Sequence, residues 1–235
     1  VEPPDTIVLR LKSIAMRYDR GEEVLRDLDL VIKAGSFHFL IGPSGAGKTS
    51  LLRLVSLSHP PSRGTIELFG RDVARLDRDE QASVRRRIGV VFQDFRLLEH
   101  LTAFDNVALP LRIGGVEEEK ISSFVSEMLS WLGLADFMEF RPAKLSMGQR
   151  QLVTIARAVV TRPTLLLADE PLSNLDSRRR ERVMYLFTQM HRLGTAVLMA
   201  THDMDLLRRY PFGVLEMDGG RLVRHEEPAA RRAAE

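Results

Sequence analysis

The 235-residue chain contains no cysteine. That excludes disulfides, thiolate metal centres and a cysteine nucleophile, and it suits a reducing, cytoplasmic setting. Long apolar runs are missing too. No stretch approaches the roughly 18 residues needed to cross a bilayer, and the opening residues Val1-Glu2-Pro3-Pro4-Asp5 do not read as a secretory signal. The six histidines show no metal-ligand spacing. Lysine is scarce, confined to Lys12, Lys33, Lys48, Lys120 and Lys144, so the basic side chains are overwhelmingly arginine. With a net charge of +2 the chain lacks the excess that argues for nucleic acid, and no nucleic-acid partner is expected. Arginines cluster at Arg85-Arg86-Arg87 and Arg178-Arg179-Arg180. Solvated helix faces fit both clusters; contact with anionic lipid or an acidic loop is the alternative.

The residues that are present alternate between two periodicities. Strand patterning covers Ile7 to Met16, Leu28 to Lys33, Phe37 to Ile41, Thr65 to Phe69 and Ile88 to Phe92, with turns at Ala34-Gly35 and Pro60-Pro61-Ser62-Arg63-Gly64. From Thr102 to about Arg141 the apolar residues recur at helical spacing, with Thr102 able to cap and Gly114-Gly115 separating two helices. A helix is expected after Met147, a strand over Thr164 to Ala168 and a helix from near Asp176. A strand over Thr195 to Ala200, a helix after Asp203 and strands over Phe212 to Met217 and Arg221 to Val223 complete the series. Such alternation predicts an α/β fold with a largely parallel core.

Between the Phe37–Ile41 strand and a helix lies Gly42-Pro43-Ser44-Gly45-Ala46-Gly47-Lys48-Thr49, the spacing G-x-x-x-x-G-K-[ST]. Glycines let such a loop curl until backbone N–H groups converge on phosphate oxygens, and the helix N-terminus adds positive potential. Lys48 is placed to reach the β- and γ-phosphates of a nucleoside triphosphate and Thr49 to ligate Mg²⁺, with Ser50 opening the helix. A second apolar strand ends in Asp169-Glu170. Taken alone, this pair fits a solvated turn. Beside a phosphate loop, Asp169 suits the metal and Glu170 a water-activating role.

Further pieces follow in a fixed order: Gln93 closing a strand, Leu145-Ser146-Met147-Gly148-Gln149 before a helix, Ser173-Asn174-Leu175-Asp176, and His202 at a strand end. Together they resemble the ATP-binding cassette (ABC) ATPases across residues 7 to 223. The resemblance implies a P-loop cassette with an N-terminal antiparallel β part, a mostly parallel RecA-like core and a helical insertion. It implies one nucleotide-binding domain over 1–235, with core 7–95 and 150–223, a helical subdomain 96–149 and a disordered tail 226–235. It makes Gln93 a metal-shell and sensor residue beside Thr49 and Asp169, and His202 and Glu170 catalytic. Tyr18 becomes an adenine-stacking residue. Ser146, Gly148 and Gln149 become a signature that caps the γ-phosphate bound by the opposite copy, so a homodimer enclosing two ATP is expected. Met147 departs from the family's glycine, and glycine-only backbone angles would strain a methionine there.

Residues Val90 to Leu98, Asn106 to Leu111, Arg85 to Gly89 and Leu166 to Pro171 are similar to the FtsE-type cell-division ATPases, although Pro171-Leu172-Ser173-Asn174 departs from their usual pattern. That likeness implies a peripheral subunit on the cytoplasmic face of the bacterial inner membrane. It would pair with an integral FtsX-like membrane subunit and control cell-wall hydrolases at the septum. Lipoprotein-release and macrolide exporters are the alternative. A nucleotide-dependent scaffold and a soluble DNA-repair or translation ATPase are rivals of another class. Phe95, Leu97, Leu98 and Leu101 are the expected apolar anchors for the membrane subunit, with Arg96 at the rim.

Overall fold

A computed structural model of the chain describes residues 3, 6–19 and 21–226. The first third supplies β1 (Ile7–Arg17), β2 (Glu23–Lys33), β3 (Phe37–Ile41), α1 (Lys48–Val55), β4 (Arg63–Leu68) and β5 (Arg71–Asp72). After these come α2 (Arg78–Arg86), β6 (Ile88–Val91), α3 (Ala103–Ile113), α4 (Glu118–Trp131) and α5 (Met147–Val159). The chain then alternates through β7 (Leu165–Asp169), α6 (Ser177–Arg192), β8 (Ala196–Ala200), α7 (Met204–Arg209), β9 (Gly213–Asp218) and β10 (Arg221–Glu226).

Two sheets result. One is antiparallel, in the order β2-β1-β4-β5; the other runs β10-β9-β3-β8-β7-β6, with every pairing parallel except β10 to β9. All five residues of each of β3, β7 and β8 are buried. This is what parallel strands covered on both faces require, and why they read as unbroken apolar runs. Alternate side chains sort to opposite faces. Phe37, Phe39, Leu166, Ala168, Val197 and Met199 join α3, α4, α5 and α6 in one core. Leu40, Leu165, Leu167, Leu198 and Ala200 join α1 and the antiparallel sheet in the other.

Local chemistry explains where observed and expected elements differ. β2 starts at Glu23 rather than Leu28, because Asp27 adopts a left-handed φ of 48° and interrupts the apolar alternation. α2 was not expected. Val84 is its only buried residue, so it shows little apolar period, and its signal is a capping box in which Asp77 accepts from the Glu80 amide at 2.8 Å and Glu80 from the Asp77 amide at 3.0 Å. The arginine clusters are not uniformly solvated: Arg87 lies 3.8 Å above the Phe69 ring, and Arg180 binds Asp203 at 2.8 Å. Glu226, expected in the tail, ends β10; residues 227–235 and Arg20 lie outside the described residues. Among the described residues no helix is long and apolar enough to cross a membrane.

Candidate active site

Four parallel strands, β3, β6, β7 and β8, point their C-terminal ends at one edge of the sheet, the usual place for a ligand in an open α/β sheet. After β3 the chain curls through Gly42–Gly47 into α1. Gly47, the residue before the helix, has φ 100°, and a Cβ there would sit 2.9 Å from Leu25 Cδ2. With glycine at this position no side chain caps α1, so its first-turn N–H groups stay available to an anion. Lys48 Nζ donates to the carbonyls of Gly42 at 2.7 Å and Pro43 at 3.0 Å. That leaves one ammonium N–H for a phosphate oxygen.

Asp169 ends β7 with 6% exposure. Burial pushes its carboxyl above the usual carboxylate range, opposed by a hydrogen bond with Thr49 and by the charges of Lys48 and Arg53; Asp94 adds a further upward push. Glu170 follows with a left-handed φ of 48°, and its amide donates to Ala200 O at 3.1 Å. A non-glycine residue held this way costs about 1–3 kcal/mol. The turn brings Glu170 Oε1 to 2.9 Å from His202 Nδ1, just past β8. A carboxylate there accepts a hydrogen bond from Nδ1–H, leaving Nε2 an acceptor on a neutral ring or a second donor on a protonated one.

A cleft of about 370 Å³ gathers Gly42, Ser44, Gly45, Ala46, Gly47, Lys48, Thr49, Ser50, Gln93, Asp169, Glu170 and His202 along its wall, together with Val24, which sequence reading had not singled out. Pro43 is exposed and does not line it; its carbonyl accepts from Lys48 Nζ. Tyr18 does not line the cleft. Its hydroxyl is 3.2 Å from Ser50 Oγ, and its ring meets His59 edge-on at 4.9 Å. Among the described residues no group of three His, Cys, Asp or Glu side chains could hold a metal alone. The Thr49–Asp169 pair and Gln93 offer hard oxygen donors, a fit for Mg²⁺, which keeps phosphate and water in most of its shell.

The signature residues are elsewhere. Ser146 and Gln149 close a capping box at the start of α5, Ser146 N donating to Gln149 Oε1 at 2.8 Å and Gln149 N to Ser146 Oγ at 3.3 Å. Gly148 lies against the Asp176-containing loop before α6. A Cβ on it would come within 2.9 Å of Asn174 O, so glycine is required there by close approach. The backbone strain expected at Met147 is absent: it is the first residue of α5, is not among the left-handed residues, and is 61% exposed. None of Ser146, Gly148 and Gln149 lines this chain's own cleft.

On the far side of Gln93 is a groove of about 600 Å³ between β6 and α3. Its floor includes Ile88, Phe92, Pro110, Ile113 and Val116, and its walls carry Arg85, Arg86, Arg96 and Arg157. The expected anchors Phe95, Leu97, Leu98 and Leu101 do not line it, whereas Arg96 does. Leu97 packs on the core beneath α3 instead, and Phe95 is half-buried with φ 59°. Leu98 stays 37% exposed, with its backbone pinned by Asn106, which is fully buried, accepts from Leu98 N at 2.8 Å and donates to Leu98 O at 3.1 Å and Thr102 O at 2.9 Å.

A family model described as ABC transporter matches residues 25–173. The chain is 41% identical over 222 residues to the cell division ATP-binding protein FtsE of Escherichia coli (strain K12), covering 93% of this chain and 100% of that protein. It is 43% identical over 206 residues to the methionine import ATP-binding protein MetN of Xylella fastidiosa, covering 86% of this chain and 62% of that protein. Among solved structures it resembles a dimeric ATP-binding cassette in a post-hydrolysis state bound to ADP and Pi, with TM-score 0.88, 34% identity, and coverage of 95% of this chain and 100% of that one.

Proposed function

We propose that this chain, which belongs to the ABC transporter family of ATPases, is the ATP-hydrolysing subunit of an FtsE-type membrane assembly. The observation that carries the chemical part is the meeting, at one sheet edge, of an uncapped helix start, the Thr49–Asp169 pair and the Glu170–His202 contact. Phosphoryl transfer needs positioning and charge stabilisation more than covalent help. The first-turn amides of α1 and Lys48 hold the β- and γ-phosphates. Thr49, Asp169 and Gln93 are the side chains that would hold Mg²⁺, which supplies charge neutralisation on the phosphate oxygens. Glu170 orients the attacking water and accepts its proton as the water oxygen bonds to the γ-phosphorus and the bond to the ADP oxygen breaks. His202 keeps Glu170 aimed by its 2.9 Å contact. Tyr18, beside Ser50, is assigned to the adenine.

The site is completed by a second copy. Ser146, exposed at the capped start of a 13-residue helix, and Gly148, buried one residue into that helix, both lie outside their own cleft, and the helix start suits an anion brought by another subunit. The related cassette solved with ADP and Pi is dimeric. We assign the arginine-walled groove to a cytoplasmic segment of an FtsX-like integral membrane subunit, which puts the chain on the cytoplasmic face of the bacterial inner membrane, upstream of cell-wall hydrolases at the septum. The full-length match to FtsE supports this reading; the 43% identity to MetN supports a second one, an importer ATPase on the same chemistry.

Two measurements test the assignment. Lys48→Ala removes the phosphate-directed cation and is expected to abolish ATP binding and hydrolysis together; retained tight binding would contradict it. Ile113→Asp, which places a carboxylate in the groove, is expected to abolish co-purification with an FtsX-type subunit while ATP binding stays intact. Undiminished capture of that subunit would remove the groove from its assigned role.

A further inference from the structure

The groove and the metal corner share one short segment, and α5 holds it. Phe95 and Arg96 are consecutive non-glycine residues with left-handed φ of 59° and 49°. Their carbonyls are both taken by a single side chain: Arg157 Nη2 donates to Phe95 O at 2.8 Å and Nη1 to Arg96 O at 2.7 Å. Thr154, one turn earlier on α5, donates its hydroxyl to Arg150 O at 2.9 Å, with Phe95 O farther off at 3.4 Å. The fork of a guanidinium matches two adjacent carbonyls in a way a point charge does not. Burial pulls the Arg157 guanidinium below its ordinary range, a cost that its two backbone contacts offset.

The position of this clamp matters. Arg96 stacks on Phe92 at 4.0 Å and bonds Asp94 at 3.1 Å, and Arg96, Phe92 and Arg157 all line the groove. Gln93, Asp94 and Arg96 also line a second cavity of about 150 Å³ with Thr49 and Asp169. α5 carries Ser146 at its start and Arg157 near its end. Arg157 therefore ties the Gln93 loop to the signature helix at the point where the loop passes from groove to metal corner.

We infer that Arg157 is a positioning residue for hydrolysis: it holds the Phe95–Arg96 turn, and through it Gln93, in register with Thr49 and Asp169. It touches neither nucleotide nor metal. The inference rests on the role given to Gln93 above and adds the residue that enforces it.

The test uses the full chain with Arg157→Met, Arg157→Lys, Gln93→Ala and the Gln93→Ala/Arg157→Met double variant. Arg157→Met is expected to speed amide exchange over residues 93–97 about tenfold without nucleotide. It is expected to lower kcat, taken per ATP-binding site counted by titration so that an unfolded fraction does not enter, about tenfold with KM for ATP within about twofold. Arg157→Lys should recover part of both effects. In the double variant the losses are expected to overlap, leaving kcat near that of Gln93→Ala. Unchanged exchange over 93–97, a double variant slowed by the full product of the two singles, or a KM effect with kcat intact would overturn the inference. Should Arg157→Met not fold, Arg157→Lys must still raise exchange in the same segment above wild type, about threefold, and no increase overturns it equally. An inert wild-type chain would instead strike at the ATPase reading itself.

Discussion

The nucleotide-facing edge of the sheet and the helix α3 treat their polar groups differently. In α3, Thr102 caps the first turn by accepting from Asp105 N at 3.0 Å, Asn106 satisfies the loop before it, and Arg112 binds Asp105 at 2.8 Å and Glu118. These polar choices favour the fold, although Pro110 sits inside α3, and α4 has no side-chain cap of its own. At the sheet edge, α1 has no side-chain cap, Glu170 is held left-handed, and Asp169 is buried with its carboxyl pushed upward. At the sheet edge these departures fall on groups needed for phosphate chemistry, while left-handed residues elsewhere, such as Leu57 and Arg162, lie in the connections after α1 and α5. The difference separates two kinds of residue: those whose loss changes turnover and those whose loss changes melting.

Breaking the comparison at its functional end should give the largest effect. Glu170→Gln retains shape and loses the base, so turnover is expected to fall by about 10²–10⁴-fold while ATP still binds. Steady-state hydrolysis beside equilibrium nucleotide binding reads both, and near-normal turnover would remove Glu170 from the role of base.

Asp169→Asn sharpens the contrast because the two readouts should move in opposite directions. Hydrolysis is expected to fall about a hundredfold. Stability without nucleotide should rise. The folded pKa lies above the unfolded one, so the charged Asp169 destabilises the chain increasingly as pH climbs from the ordinary aspartate range through the raised value. At neutral pH the melting midpoint of Asp169→Asn should therefore lie above that of the wild-type chain. Melting curves of both proteins should converge in acid below the ordinary aspartate range. A variant that melts lower at neutral pH would contradict the burial argument.

At the structural end, Asn106→Ala should cost about 2–3 kcal/mol, since it strands the Leu98 amide and the carbonyls it served. Affinity for ATP in the folded protein is expected to stay within about twofold, as the residue makes no contact with the cleft. A matching loss of ATP affinity in the folded protein would show that the two regions are not separable.

Much of this was legible in the residues themselves. The runs Phe37–Ile41, Leu165–Ala168 and Ala196–Ala200 announce buried parallel strands, and the spacing Gly42 to Thr49 announces a phosphate loop. What escaped lacked a signal of its own kind. α2 hides because only Val84 is buried, and its capping pair had to be recognised instead. Phe95, Leu97, Leu98 and Leu101 were expected as anchors for a membrane subunit; the arginine-walled groove itself, lined instead by residues such as Ile88, Pro110 and Ile113 that are far apart in the chain, leaves no local signal. Met147 was judged from a glycine pattern, whereas the position has ordinary helical geometry and tolerates a side chain pointing outward. Val24 enters the cleft from β2, a strand whose start the left-handed Asp27 obscured.

The central claim is that each cleft lacks its γ-phosphate cap until a second copy supplies Ser146 and Gly148. Sedimentation velocity of the Glu170→Gln protein, with and without ATP and Mg²⁺, tests it most directly. The expected result is a monomer without nucleotide and a dimer with it, the dimer disappearing when Gly148→Ala is added, because a Cβ there would crowd Asn174 and shift the signature turn. A protein that binds ATP to saturation yet sediments as a monomer at every concentration would contradict the account.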